Sequence, residues 1–237
     1  MDATWPDPPP GADRELLTAV RDGLAALADP VKAPQMQAYM KSAMPYRGVA
    51  TPPRRMLTKA LLGALPPADR ATWEATVLAL WDGAAYREER YAAVDVCAHR
   101  SARAWQDAAT LSLYEHFIVT GAWWDHVDAV AAHLVGPILR SDRLGVEPTV
   151  RRWVTDPDRW RRRSAIIVQL RAGAATDTRL LAAAIEPNVD DRDFFIRKGI
   201  GWALREYAKT DPGWVRSFVA THELSPLSRR EATRHLA

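Results

Sequence analysis

Four side chains in this sequence could act together on a sugar and a phosphate. Trp124 and Asp128 lie four residues apart in TGAWWDHVDAV, Arg163 follows in RWRRRSAIIVQL, and Trp202 lies in FFIRKGIGWALREYAKT. Arg163 is 39 positions from Trp124 and 39 from Trp202, which indicates one face of a repeating helical array. Two indoles, a carboxylate and a guanidinium suit a site that grips an electron-poor sugar beside a phosphate.

The elements that must position these residues are helices. Apolar residues recur at i, i+3 and i+4, whereas alternation of strand length is hard to find. Prolines between the periodic segments can end one helix or begin the next. The sequence predicts an all-α protein with helices over residues 13–29, 33–44, 52–64, 69–82, 86–100, 104–120, 123–135, 149–154, 158–173, 177–185, 191–208, 212–221 and 226–236.

Paired short helices at a period near 39 residues favour a HEAT-like helical-repeat solenoid with a concave face for a large partner. We predict a single domain over residues 13–237 and a disordered tail over residues 1–12, which are rich in proline and polar groups. Thr51 before Pro52 is the predicted start of one helix, and Ser228 with Glu231 is a predicted capping box.

Composition restricts the class of protein. With 237 residues the chain can bury a substantial core. Its only cysteine, Cys97, excludes an internal disulfide and favours a reducing compartment. No apolar run approaches the roughly 20 residues that cross a bilayer, and the N-terminus lacks a signal pattern. We therefore expect a soluble cytoplasmic protein without a membrane partner.

The net charge of +3 is modest, but arginines cluster between residues 140 and 163, a segment that contains eight arginines and four acidic residues. This stripe is a plausible phosphate-facing surface. The alternative is that the chain simply uses arginine for lysine, 27 to 5, so that any helix surface looks arginine-rich.

No motif predicts a metal or a cofactor. The six histidines form no set of ligands at fixed spacing. Gly199 and Gly201 in KGIGW lack the preceding strand of a phosphate-binding loop. We expect them to allow close helix packing beside Trp202.

Five blocks of the chain, in order, are similar to one known family: QMQAYMKSAMPYRGVATPPRR, YEHFIVTGAWWDHVDAV, RWRRRSAIIVQL, FFIRKGIGWALREYAKTDP and LSPLSRREATRHL. On these blocks the sequence resembles the AlkD-type DNA alkylation repair proteins of the AlkC/AlkD superfamily, which are HEAT-like DNA glycosylases. The patterns WWDxVD and KxIGWxLREY are the specific ones. One departure is Gly121, where lysine is frequent before the tandem tryptophans.

The resemblance implies a monomer that wraps duplex DNA on its concave face, associates with the nucleoid when bound, and excises cationic alkylated purines such as 7-methylguanine and 3-methyladenine. The family works on the sugar of the lesion without capturing the base in a pocket. Its functional residues correspond to Tyr39, Trp124, Asp128, Arg163 and Trp202. Arg162 and Lys41 are added as auxiliary DNA contacts.

The chemistry of such a site follows from the charge of the lesion. A purine alkylated at N7 or N3 is a good leaving group without protonation, so no general acid is required. Breaking the bond develops positive charge on the sugar, which a fixed carboxylate stabilises. Asp128 is expected to do this and to orient water, with Trp124 and Trp202 against the deoxyribose and Arg163 on a phosphate. Tyr39 would contact the backbone or sugar.

Each residue also has a purely structural interpretation. Tryptophans on a solenoid are usually core residues, which we favour for Trp123, and Asp128 alone would more often be a solvated helix residue. Two other functions stay open: a DNA-binding solenoid without excision, and a protein-binding scaffold. Salt-dependent binding to plain duplex DNA would exclude the scaffold, and base release would exclude the non-catalytic binder.

Overall fold

The computed structural model describes residues 8–236, and every regular element in that range is a helix, which confirms the predicted all-α class. The chain divides into two compact units, one up to Gln106 and one from Asp107 onward. The single domain over residues 13–237 stays a prediction. Of the predicted disordered tail, residues 1–7 lie outside the described range, and residues 8–12 form a turn before the first helix. No described helix is both long and apolar enough to cross a bilayer.

The first unit packs its opening helix against three later ones. The described α-helices are α1 (Arg14–Ala26), α2 (Lys32–Met40), α3 (Thr51–Ala64), α4 (Arg70–Asp82) and α5 (Arg87–Ala98), followed by a 3-10 segment, Arg100–Trp105. α1 begins where the Asp13 carboxylate accepts a hydrogen bond from the Leu16 N–H, and it contacts α3, α4 and α5. Trp73 and Trp81 on α4 are fully buried.

A buried carboxylate fixes the loop that leads into α3. Glu88 has no exposed surface and accepts hydrogen bonds of 2.9 to 3.1 Å from three consecutive backbone N–H groups, those of Arg47, Gly48 and Val49. Gly48 has φ of +84°, and a Cβ there would lie 2.1 Å from the Asp29 carbonyl oxygen. The loop therefore requires glycine at this position.

The second unit contains the remaining α-helices of the described residues. They are α6 (Leu111–Gly121), α7 (Trp124–Val130), α8 (Gly136–Ser141), α9 (Arg143–Trp153), α10 (Arg159–Ile167), α11 (Thr178–Ile185), α12 (Phe194–Tyr207), α13 (Pro212–Thr221) and α14 (Pro226–Thr233). Short 3-10 turns occur at Ala108–Thr110, Gly173–Ala175 and Glu186–Asn188.

Two helices lie where the sequence predicts a connection, between residues 136 and 148. A π-helical turn, Ala131–Val135, joins α7 to α8 without a break, and the Gly136 N–H bonds the Ala131 carbonyl five residues back. The wider turn lies just before Pro137, whose ring would clash with a carbonyl in a regular α-helix. Pro148 lies inside α9. Neither proline separates helices as predicted.

α7, α10 and α12 run side by side in the same direction. In the contacts between the α7 and α10 segments, the residue numbers increase together in both segments: Trp123 contacts Trp160, Asp128 contacts Arg163, and His133 contacts Arg171. From α10 to α12 they rise in the same way: Arg159 with Asp193, Arg163 with Phe195, and Ile167 with Gly199. These three parallel helices carry the candidate site.

The 39-residue spacing does not mark three facing positions. Arg163 pairs with Asp128, 35 residues earlier, and bonds Phe195, 32 residues later. Trp124 and Trp202 therefore lie before and beyond the level of Arg163 along the parallel helices. The regular interval of 39 residues in the sequence therefore does not identify residues that contact one another.

Two predicted helix starts are displaced. The N-cap residue of α3 is Ala50, and Thr51 is already helical. The N-cap of α14 is Ser225, whose hydroxyl accepts the Ser228 N–H at 3.1 Å, so the predicted capping box of Ser228 with Glu231 is wrong. Glu231 is used elsewhere, in ion pairs with α12.

Candidate functional site

Asp128 and Arg163 form a bidentate ion pair between α7 and α10. The Arg163 Nε donates to Asp128 Oδ1, and the terminal nitrogen Nη2 donates to Oδ2, both at 2.7 Å. The Asp128 side chain is 13% exposed and that of Arg163 only 4%. Two parallel charge-assisted bonds fix both the position and the plane of the carboxylate.

The remaining terminal nitrogen of Arg163 is also used inside the protein. Its Nη1 donates to the Phe195 carbonyl oxygen at 2.5 Å. A Cβ at Gly199 would lie 3.2 Å from this nitrogen, so the glycine leaves the space that the guanidinium occupies. The direct hold on phosphate predicted for Arg163 does not fit this geometry, because all three nitrogens donate to protein groups in a buried position. Its observed contacts hold Asp128.

An aromatic cluster supports the Phe195 carbonyl. The rings of Trp123, Trp160 and Phe195 pack with centroids 4.9 to 6.2 Å apart. The Asp193 carboxylate caps α12 by accepting the N–H groups of Phe195 and Ile196, and it also accepts a hydrogen bond from Arg159. The backbone group that anchors Arg163 is therefore fixed from two sides.

Burial raises the pKa of the Asp128 carboxyl above its ordinary value, and the nearby Asp125 carboxylate adds to the rise. The hydrogen bonds and the positive charge of Arg163 act in the opposite direction. A buried carboxylate without a partner would take up a proton. Arg163 is thus the group that favours a charged Asp128.

Asp128 lines a cavity of about 720 Å³ in the second unit. Asp125 lies on the same wall, Ile166 and Leu170 come from the α10 segment, and Trp202 and Tyr207 come from α12. The cavity thus combines carboxylates, an apolar floor and aromatic rings. Its volume is in the range of cavities that hold small organic groups.

Of the two predicted indoles, only Trp202 is among the residues lining this cavity in the described range. Trp124 is half-buried, is the first residue of α7, and lies one helical turn before Asp128. The structure therefore brings Asp128, Arg163 and Trp202 together, and it places Trp124 beside them on α7 without placing it in the cavity.

The segment of α12 that carries Trp202 is fixed by α14. A Cβ at Gly201 would lie 2.5 Å from the Glu231 Cβ, so the two helices meet at the glycine. The Glu231 carboxylate accepts hydrogen bonds from Lys198 at 2.7 Å and from Arg205 at 2.5 Å. These partners lie one turn before and one turn after Trp202. The expectation that Gly201 permits close packing is confirmed.

Most of the predicted arginine stripe is engaged within the protein. Arg162 donates to the carbonyls of Asp156 and Pro157 and pairs with Asp191 at 2.9 Å, so its guanidinium is held internally and is only partly accessible to DNA. The other stripe members that pair with carboxylates are Arg143, Arg151, Arg159, Arg161 and Arg163. Arg140 and Arg152 have no carboxylate partner among the described residues. The predicted DNA contact at Arg162 stays a prediction.

Two predicted DNA contacts belong to the first unit. Tyr39 is 76% exposed on α2. Lys41 is exposed and follows α2 with φ of +49°, a left-handed conformation that ends the helix. Both side chains are accessible, and their DNA contacts stay predictions. Gly121, where the family often has lysine, is the buried last residue of α6.

Several cavity residues were not predicted from the sequence. Asp125 and Glu206 are each within one turn of a predicted residue, and this helical spacing could have indicated them. Arg171 and His133 lie beyond any such interval, so their approach required the structure. Among the described residues, no group of three or more histidine, cysteine or acidic side chains is placed to hold a metal ion.

The chain is similar to a known protein family and to a solved structure. The model of a family described as DNA alkylation repair enzyme matches residues 20–236. A solved structure, a predicted DNA alkylation repair enzyme from Enterococcus faecalis, is 30% identical with a TM-score of 0.82. The match covers 89% of this chain and 97% of that one. None of the curated proteins compared with the chain matches it.

Proposed function

Since this chain belongs to the DNA alkylation repair enzyme family, we propose that it is a DNA glycosylase that acts on duplex DNA containing alkylated bases. Its substrates are purines that carry a positive charge after alkylation, such as 7-methylguanine and 3-methyladenine. The protein acts as a monomer, hydrolyses the N-glycosidic bond and so begins base excision repair.

The observation that carries this proposal is the carboxylate of Asp128, mostly buried at the wall of a cavity that Trp202 also lines. One edge of the Arg163 guanidinium donates to both oxygens of the Asp128 carboxylate. Each oxygen keeps a further lone pair for another partner. A carboxylate that is fixed before substrate arrives needs no reorganisation when charge develops nearby.

In the proposed reaction, the bond between the sugar C1′ and the purine nitrogen breaks, and its electron pair neutralises the charge of the base. The base leaves without a proton. The sugar becomes cationic at C1′, where Asp128 stabilises the charge and orients a water molecule. Water adds to C1′ and loses one proton. Bases without a positive charge are poor substrates because the proposed reaction includes no general acid that would protonate them.

Arg163 acts through Asp128 and is a positioning residue in this mechanism. Trp202 presents an indole to the cavity, where its electron-rich face favours a cationic sugar by about 0.5 to 2 kcal/mol. Trp124 contributes in the same way only where the DNA extends along α7 to the first turn of that helix. Asp128 and Trp202 therefore carry most of the proposed chemistry.

The decisive experiment measures release of free 7-methylguanine from methylated duplex DNA at saturating protein. Asp128→Asn keeps the size of the side chain and removes its charge. We expect release by the wild type and a loss of on the order of a hundredfold or more in the variant, with DNA affinity largely retained. Full activity in Asp128→Asn would exclude the carboxylate from the mechanism.

Asp190→Asn is a matched control, because Asp190 is exposed in the same unit and does not line the cavity. It undergoes the same chemical change as Asp128→Asn at a position without a proposed role. We expect it to release base at the wild-type rate. Equal losses in both variants would point to a general effect of charge.

The second candidate function is a protein that binds damaged DNA without excision. The observation in its favour is that Arg163 already neutralises Asp128, as in a structural ion pair. Tight binding of DNA with no release above the spontaneous rate would establish this function and exclude the glycosylase.

A further inference from the structure

The cavity beside Asp128 extends toward a group of basic side chains. His133 follows Asp128 through the π-helical turn, Arg171 follows α10, and Lys209 follows α12. All three line the same cavity as Asp128 and Trp202. Because α7, α10 and α12 are parallel, these three side chains lie toward the same end of the helices.

The basic residues that line the cavity lie toward one end of the helices. Asp125 and Asp128 lie on α7, whereas Lys209, whose ion-pair partner is Glu206, comes just after α12, seven residues after Trp202. At a rise of 1.5 Å per residue, seven residues correspond to roughly 10 Å. The long side chains of arginine and lysine can reach back over part of this distance, toward a phosphate that flanks a sugar held near Asp128.

Arg171 and Lys209 are more exposed than Arg163 and can exchange their partners more readily. Arg171 is exposed, and its Nη1 lies 3.3 Å from the His133 Nδ1, with no carboxylate partner among the described residues. Lys209 pairs with Glu206 at 2.7 Å, but their side chains are 61% and 33% exposed. Exposed ion pairs of this kind contribute little to stability and exchange readily.

We propose that Arg171 and Lys209, with His133 beside them, form a binding subsite for a phosphodiester group of the DNA strand that contains the lesion. This inference rests on the proposed function, and it assigns to Arg171 and Lys209 the phosphate contact that the sequence suggested for Arg163. Their positions at helix ends also suit the helix dipole, but that favourable local effect requires no ligand. DNA binding separates the two roles.

The first test measures the salt dependence of affinity for a duplex with a central tetrahydrofuran abasic analogue. Loss of one phosphate contact reduces the slope of log K against log salt by about 0.9. We expect this reduction in Arg171→Gln and in Lys209→Gln. Arg179→Gln is the matched control, because Arg179 is exposed on α11 and does not line the cavity. Equal slopes in Arg171→Gln and Arg179→Gln would overturn the proposal.

The second test locates the phosphate. Single methylphosphonates, which are uncharged, replace each phosphate flanking the abasic analogue on its strand in turn. At the contacted position, we expect the wild type to lose affinity and Arg171→Gln to lose little more. Losses that simply add at every position would mean that Arg171 contacts no phosphate there, and would overturn the subsite.

Base release separates this inference from the proposed function. A protein that releases 7-methylguanine but shows no coupling between Arg171 and any methylphosphonate keeps its function and loses the subsite. A protein that shows the coupling but releases no base keeps the subsite as part of a non-catalytic DNA site.

Discussion

Arg163 commits each of its guanidinium nitrogens to a protein acceptor. The pair with Asp128 and the bond to the Phe195 carbonyl form a continuous connection from α7 through α10 to α12. Such a connection makes the position of the Asp128 carboxylate on α7 depend on the positions of α10 and α12. The orientation of Asp128 thus depends on the fork geometry of arginine as well as on its charge.

Arg163→Lys tests this dependence at the scale of one residue. Lysine keeps the charge but cannot donate to both Asp128 oxygens and the Phe195 carbonyl in one plane. We expect single-turnover excision to fall by on the order of tenfold to a hundredfold, as misplaced catalytic groups do, while DNA affinity stays near that of the wild type. Weakened affinity with an unchanged excision rate would instead favour the phosphate role for Arg163.

The sequence could indicate which residues belong to the site but not how they pair. Asp128 and Arg163 are conspicuous by type, and the resemblance to a known family assigns both. Their mutual contact depends on an interval of 35 residues between parallel helices, whereas the pattern in the sequence suggested 39. A shift of one helical turn changes the partner of a side chain while leaving it on the same face.

At the scale of elements, α14 fixes the segment of α12 that carries Trp202. The contact at Gly201 and the bonds from Lys198 and Arg205 to Glu231 act on the turns around this indole. The helix at the end of the described chain is therefore part of the site's support, although it contributes no residue to the cavity lining.

Glu231→Gln is expected to loosen this support. The amide keeps its size but loses two charge-assisted hydrogen bonds, which corresponds to about 1 to 2 kcal/mol of stability. We expect a lower unfolding temperature and slower excision at unchanged DNA affinity. Glu223→Gln, at an exposed position before α14, is the matched control. If both variants behave alike in thermal unfolding and single-turnover assays, Glu231 does not position Trp202.

The sequence pattern does not predict α8 or the first part of α9, because the pattern is local and these helices depend on tertiary packing. Between residues 136 and 148, Pro137 and Pro148 indicate breaks, because proline usually ends a helix. The π-helical turn accommodates the first, and α9 contains the second within its length. Tertiary packing decides whether a helix tolerates such a residue, as at Gly136, where a Cβ would lie 2.4 Å from the Val168 carbonyl oxygen.

At the scale of the whole molecule, arginine serves mainly to connect helices. Arginines outnumber lysines 27 to 5, and those near residues 140–163 find carboxylates far along the chain, such as Asp177, Asp191 and Asp193. Composition alone cannot distinguish this use from a DNA-binding surface. The charge that remains for DNA is smaller than the count of arginines suggests.

Stability of the molecule should depend on pH through a second buried acid. Glu89 has no exposed surface, and burial raises its pKa from 4.5 to about 7, although Arg21 lies 3.5 Å away and opposes the rise. The unfolded chain loses this proton near its ordinary pKa, while the folded protein keeps it until about pH 7. The contribution of Glu89 is thus fully present below about pH 4.5 and is lost as the pH rises to about 7.

Glu89→Gln removes this titration with little change of shape. As the pH rises from 5 to 8, the free energy of unfolding of the variant should increase relative to that of the wild type. The increase should be at most roughly 3 kcal/mol. Urea unfolding of both proteins at the two pH values measures the difference. A difference that is constant with pH would show that Glu89 is ionised throughout.

The π-helical turn between α7 and α8 also decides how this helix responds to a change in length. A π turn contains one residue more than an α turn, so a one-residue deletion within Ala131–Val135 would leave a regular α-helix whose two halves keep nearly the same facing. The same deletion within the regular turns of α7 would rotate the residues on its two sides by about 100° relative to each other. A chain shortened by one residue at the π turn should therefore keep the pairing of Asp128 with Arg163.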